Sequence, residues 1–98
     1  TIQVKTRQGI GIKWTLQEKA DSLDHSHIFY VFVRLLDEKN RPDFYVVPSR
    51  LVAKHVRRGH RIWLSKNKRD GTPRKNTSLR HFSVTEDDFL DAWEQLAA

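Results

Sequence analysis

Gln3 and Lys5 stand two apart in the opening run TIQVKTR. Ile2, Val4 and Thr6 alternate with Gln3, Lys5 and Arg7, which is the period of a strand with one apolar and one polar side. Side chains two apart on a strand leave the same face. An amide oxygen and an ammonium held side by side suit metal-dependent phosphodiester hydrolysis. The oxygen of Gln3 helps hold a divalent cation, and Lys5 steadies the attacking water or the charge that grows on phosphorus.

A second chemistry lies in the distribution of charge. The 98 residues carry 18 Lys and Arg against 12 Asp and Glu, a formal net charge of +6. Residues 50–80 hold eleven of the cations and one acid, Asp70, whereas residues 81–98 hold five acids and no Lys or Arg. A block this basic attracts polyanions by counterion release. Arg57, Arg58, Arg61, Lys66, Lys68, Arg69, Arg74 and Lys75 are the residues expected to meet phosphate. Their position and the lack of nearby acids favour backbone contacts over base readout. Trp14 and Trp63 are the aromatics open to base stacking, while the helical spacing around Trp93 places it in the core.

Other chemistries find little support. There is no Cys, so disulfides, thiolate metal sites and a cysteine nucleophile are excluded. The five histidines lack metal-ligand spacing, and no H-E-x-x-H motif occurs. The G-I-G at residues 9–11 is too short for a dinucleotide fingerprint, and there is no P-loop. No apolar run approaches the roughly 20 residues of a membrane-spanning helix.

These groups need elements to position them. After the first strand, Gly9 and Gly11 loosen the chain and residues 12–14 extend it. Thr15 and Glu18 match a capping box, predicting a short helix over residues 16–23, followed by a loop at Asp24, His25 and Ser26. Residues 27–36, HIFYVFVRLL, are nearly all apolar or β-branched and suit a central strand buried on both faces. Residues 43–47 form the next strand, antiparallel to it across a polar turn. Ser49 caps a helix over residues 50–58, with Leu51, Val52, His55 and Val56 inward and Gly59 closing it. Residues 60–64 make a turn, residues 65–78 a flexible basic loop, and residues 79–84 a short extended piece. Thr85 caps a last helix, with Glu86, Asp87 and Asp88 in its first turn and Phe89, Ala92, Trp93 and Leu96 on one face.

The order of these pieces carries a resemblance. IQVKT, a Gly and a Trp-x-Leu, IFYVFVRL, PDFYVVPSRLVA, then H-x-x-WL and a basic loop together resemble small bacterial proteins of the PD-(D/E)XK nuclease superfamily, to which restriction endonucleases and Holliday-junction resolvases belong. The resemblance covers most of the chain. It maps the (D/E/Q)-x-K half of the family signature onto Gln3, Val4 and Lys5. It implies a Mg²⁺-dependent DNA-cleaving or DNA-binding fold, with Gln3 as metal or water ligand and Lys5 as charge stabiliser. The family's catalytic Asp precedes that motif, and only Thr1 and Ile2 stand there. The resemblance thus implies half a site, completed by a preceding segment or a second subunit, or a fold used without catalysis.

The expectation is a single α/β domain over residues 1–98, or the remainder of a longer nuclease-like one. It should be a small mixed sheet flanked by helices, like the C-terminal part of a restriction-endonuclease-like core. A helical crossing between the first strand and the strand at 27–36 would make that pair parallel. Nucleic acid, with DNA favoured, is the expected partner. The alternatives are a non-catalytic nucleic-acid-binding module and a protein-interaction domain with a basic face. A cytoplasmic location is expected, and self-association through an open sheet edge left at the IFYVFV strand.

Overall fold

The structure, a computed structural model, describes residues 1–23, 27–84 and 87–97. It is α/β: among the described residues there are five strands in two small sheets and one α-helix. The larger sheet joins β1 (Ile2–Gln8), β3 (Phe29–Leu35) and β4 (Asp43–Pro48) in the order β1-β3-β4. The smaller is a ribbon of β2 (Lys13–Gln17) and β5 (Leu79–Ser83). Helix α1 spans Ser49–Leu64.

The β1–β3 pair is parallel, with Gln3 beside Tyr30 and Lys5 beside Phe32, and β3–β4 is antiparallel. The crossover from β1 to β3 is not the expected helix over 16–23. Strand β2 runs through Thr15 to Gln17, and only a 3-10 turn, Glu18–Asp21, follows. Trp14 and Leu16 alternate inward and pair with Phe82 and Arg80. Burying those two large side chains in a ribbon outweighs a capping box worth about 1 kcal/mol.

Strand β3 is apolar on both sides, and each side has its own cover. On one, Tyr30, Phe32, Tyr45 and Val47 meet Val52 and Val56 of α1 and Trp14, Leu16 and Phe82 of the ribbon. Phe32 is fully buried and stacks on Tyr30 and Phe82 with centroids 5.3 and 4.9 Å away. The Trp14 indole N–H donates to the Val33 carbonyl at 3.3 Å, so its polar atom is satisfied inside the core. On the other side, Val31, Val33 and Val46 are covered by Ala92, with Leu96 packed alongside.

The C-terminal cover is not the expected helix. It is two 3-10 turns, Asp87–Phe89 and Trp93–Ala97. Between them Leu90 bridges to Tyr45, and the Asp91 N–H donates to the Phe44 carbonyl at 2.7 Å. Asp91 adopts a positive φ of 51°. These bonds to β4 take the backbone out of helical register. Trp93 is therefore 41% exposed, resting against Phe44 instead of lying in the core. Thr85, Glu86 and the loop at 24–26 lie outside the described residues.

Two further expectations change. Helix α1 passes through Gly59 and ends at Ser65, whose N–H reaches the carbonyls of Arg61 and Ile62. The fully buried residues of α1 all precede Gly59; beyond it His60 and Leu64 are half-buried, and the helix continues despite the ~1 kcal/mol that glycine costs inside one. Pro48, not Ser49, occupies the N-cap position. Ser49 is the first helical residue and its N–H donates to Ile28. His55 faces outward, and Ala53 takes the buried place.

The alternation in β1 holds, but its apolar side is the open one. Ile2 and Val4 are 50% and 61% exposed. Gln3, Lys5 and Arg7 are half-buried on the α1 side. Strand β3 is paired on both edges, so the open edge belongs to β1 rather than to the IFYVFV strand. Phe32→Ala should lower the unfolding free energy by about 3–5 kcal/mol. Urea unfolding followed by circular dichroism measures it, and a change below about 1 kcal/mol would show that Phe32 is not the centre of this core.

Candidate nucleic-acid interface

Helix α1 has no acidic residue and five Lys or Arg: Arg50, Lys54, Arg57, Arg58 and Arg61. At 3.6 residues per turn these five fall within an arc of about 100° along roughly 16 Å of helix. All five are exposed, opposite the buried Val52, Ala53 and Val56. The stripe and the core face are thus set by one periodicity.

Lys66, Lys68, Arg69 and Lys75 extend the basic surface as exposed residues of the segment at 65–78. This segment is not shapeless. The Asp70 carboxylate accepts from the Thr72 hydroxyl at 2.6 Å and from its N–H at 3.0 Å. The hydroxyl first, then the N–H, hold that carboxyl below its usual range. Gly71 turns the chain at φ 84°, where a side chain would be strained. Further on, Asn76 Oδ1 meets His60 Nε2 at 2.7 Å. The Arg74 guanidinium lies over the Trp63 ring at 4.8 Å and donates to the Trp63 carbonyl at 3.2 Å.

Of the eight cations expected to meet phosphate, Arg58, Arg61, Lys66, Lys68, Arg69 and Lys75 are displayed as the sequence suggests. Two have structural work as well. Arg57 donates to the Asp21 carbonyl at 2.6 Å, tying the Glu18–Asp21 turn to α1, and Arg74 anchors the segment on Trp63. Arg50 and Lys54, both inside the helix expected over residues 50–58, belong to the same stripe, and Arg61 joins it because α1 continues past Gly59. The spacing 50, 54, 58, 61 was the signal. Arg80, also in the basic block, is withdrawn from the surface. It is 7% exposed, and donates to Asp21 at 3.1 Å and to the carbonyls of Thr77 and Leu79.

Gln3 and Lys5 are brought together on β1 as expected, but their surroundings are aromatic. Their neighbours on β3 are Tyr30 and Phe32. Asp43 faces the same side from β4, and Arg34 binds it at 2.6 Å. Among the described residues no three His, Asp or Glu side chains are placed to hold a metal ion. Mg²⁺ asks for several hard oxygen ligands, and one neutral amide does not meet that need. The residues present do not fit the ion that the resemblance implies.

Trp14 is core. Thr15 Oγ1 lies 3.4 Å from His81 Nδ1 across the ribbon, and burial, then Lys13 and His60, push the His81 imidazole below its usual value. The folded state thus holds His81 neutral where the unfolded chain would bind a proton. That contribution to stability is present above about pH 6.5 and is lost as pH falls through the lower folded value. The urea midpoint should drop between about pH 7.5 and about pH 5, and His81→Gln should flatten the drop. An unchanged slope in that variant would remove His81 from the account.

Compared with known protein families, curated proteins and solved structures, this chain matches none.

Proposed function

We propose that this chain is a nucleic-acid-binding module that grips the phosphate backbone with the exposed face of α1 and the segment at 65–78. The observation that supports it is the acid-free stripe of five cations on α1, continued by four more on the following segment. A row of this length neutralises several phosphates, and the counterions so released drive association. DNA is the favoured polymer. An α-helix fits the major groove of B-form DNA, whereas that of A-form RNA is too narrow for side chains to read.

In this reading the module is derived from, or part of, a PD-(D/E)XK-like divalent-metal endonuclease working in the cytoplasm. Strand cleavage through Gln3 and Lys5 would need carboxylates from outside the described residues. The β1 edge, with Ile2 and Val4 exposed, is where a second copy would pair. Among the described residues no helix is long and apolar enough to cross a membrane.

The test is fluorescence anisotropy on duplex DNA across salt. Affinity should fall at least tenfold between about 50 and 200 mM salt, with little dependence on base sequence. Arg58→Gln with Arg61→Gln should weaken binding about equally on all duplexes and lower the salt slope by about two. Salt-independent binding, or none, defeats the proposal. Plasmid nicking in Mg²⁺ that is lost in EDTA and in Lys5→Ala would instead make the chain itself a nuclease.

A further inference from the structure

We propose that the cleft between the second half of α1 and β5 receives one unpaired nucleobase of the bound strand, stacked against Trp63 and His60. This rests on the nucleic-acid reading above and adds a subsite to it. The cleft has a volume of about 310 Å³, and its walls include Gly59, His60, Trp63, Leu79, Arg80 and His81. That is the lower end of the range for small-molecule sites, roughly 300–1,000 Å³, and suits one planar heterocycle.

Its surfaces match such a guest. The His60 and Trp63 rings lie 20° apart in plane with centroids 5.7 Å apart, giving a stepped aromatic wall. Trp63 is 38% exposed, unusual for the largest side chain on a helix otherwise packed on a core. Thr77 and His81 on the cleft wall bring a hydroxyl and an imidazole to recognise a base edge, and Asn76 fixes the His60 ring from outside it. The Arg74 guanidinium lies over the Trp63 ring, 4.8 Å from its centroid, so an entering base stacks beside it or displaces it, and its charge then meets the phosphate linked to that base. Arg80 is saturated by Asp21, Thr77 and Leu79 and forms a fixed wall instead of a phosphate ligand.

Gly59 supplies an independent reason. Glycine inside a helix costs stability, and here no packing demands it. A Cβ built at Gly59 would meet nothing within 4 Å. The fold would accept a larger residue, but the cleft would not stay open. Gly59 also borders a second hollow lined by Lys54, His55, Arg58 and Ile62. Two cations of the stripe, Lys54 and Arg58, border that hollow, and Gly59 is the residue it shares with the cleft, so a strand held on the stripe reaches the stacking platform past Gly59.

The experiment compares a short single-stranded DNA with a duplex of the same length. Both are titrated by anisotropy with the full chain, Gly59→Leu, Trp63→Ala and Gly59→Ala as a control that keeps the space. Gly59→Leu fills the cleft while improving helix propensity, so its thermal melt should lie at or above that of the parent. Single-strand affinity should fall roughly tenfold in Gly59→Leu and Trp63→Ala, with duplex affinity unchanged in Gly59→Leu and Gly59→Ala like the parent on both DNAs. A 2-aminopurine in the strand should lose fluorescence on binding the parent and not Gly59→Leu. Unchanged single-strand affinity in both variants, or an equal loss on both DNAs in Gly59→Leu, overturns the subsite and leaves phosphate binding standing. If the parent binds neither DNA, the nucleic-acid reading itself has failed.

Discussion

Strand β3 has no side to give to water. Tyr30 and Phe32 point one way, Val31 and Val33 the other, and all four are buried. Both faces therefore need a cover, and a chain of this size has few elements to spend. Helix α1 and the β2–β5 ribbon cover the aromatic face. The C-terminal turns cover the valine face. Because α1 must bury Val52, Ala53 and Val56, its cations have one direction left. The basic surface is thus a consequence of how β3 is enclosed.

The strands were the most legible part of the sequence. The alternation at residues 1–7, the apolar run of β3 and the polar turn before β4 each carry a local pattern that packing reinforces. What failed were local signals that tertiary contacts overrode. The Thr15–Glu18 box lost to the burial of Trp14 and Leu16. Gly59 suggested a helix end, yet the helix continues to Leu64, with His60 and Leu64 half-buried. The spacing from Phe89 to Leu96 suggested a helix, but backbone bonds from Leu90 and Asp91 to β4 broke its period.

The candidate site shows the same division. The concentration of charge needs no three-dimensional knowledge, and seven of the eight expected cations are exposed. Their arrangement as one stripe needed the correct helix length, because Arg61 joins it only when α1 continues past Gly59. The His60–Trp63–Asn76–Arg74 cluster joins α1 to a segment whose sequence carries no periodicity, so nothing local announced it. Gln3 and Lys5 were legible as a pair, whereas their aromatic neighbours depended on the register of β1 against β3.

The placement of the acids has a dynamic consequence. Asp87, Asp88, Asp91 and Glu94 belong to the segment that covers the valine face, and α1 covers the opposite one. The three-stranded sheet holds the two sets apart, so most of the opposite charges do not cancel across the molecule. Such a particle is an electric dipole as well as a cation. Approaching a polyanion within about a Debye length, roughly 8–10 Å in physiological salt, it feels a torque that turns α1 forward and the acidic side away. Fewer collisions are then wasted on wrong faces, so the encounter rate gains from the charge separation itself.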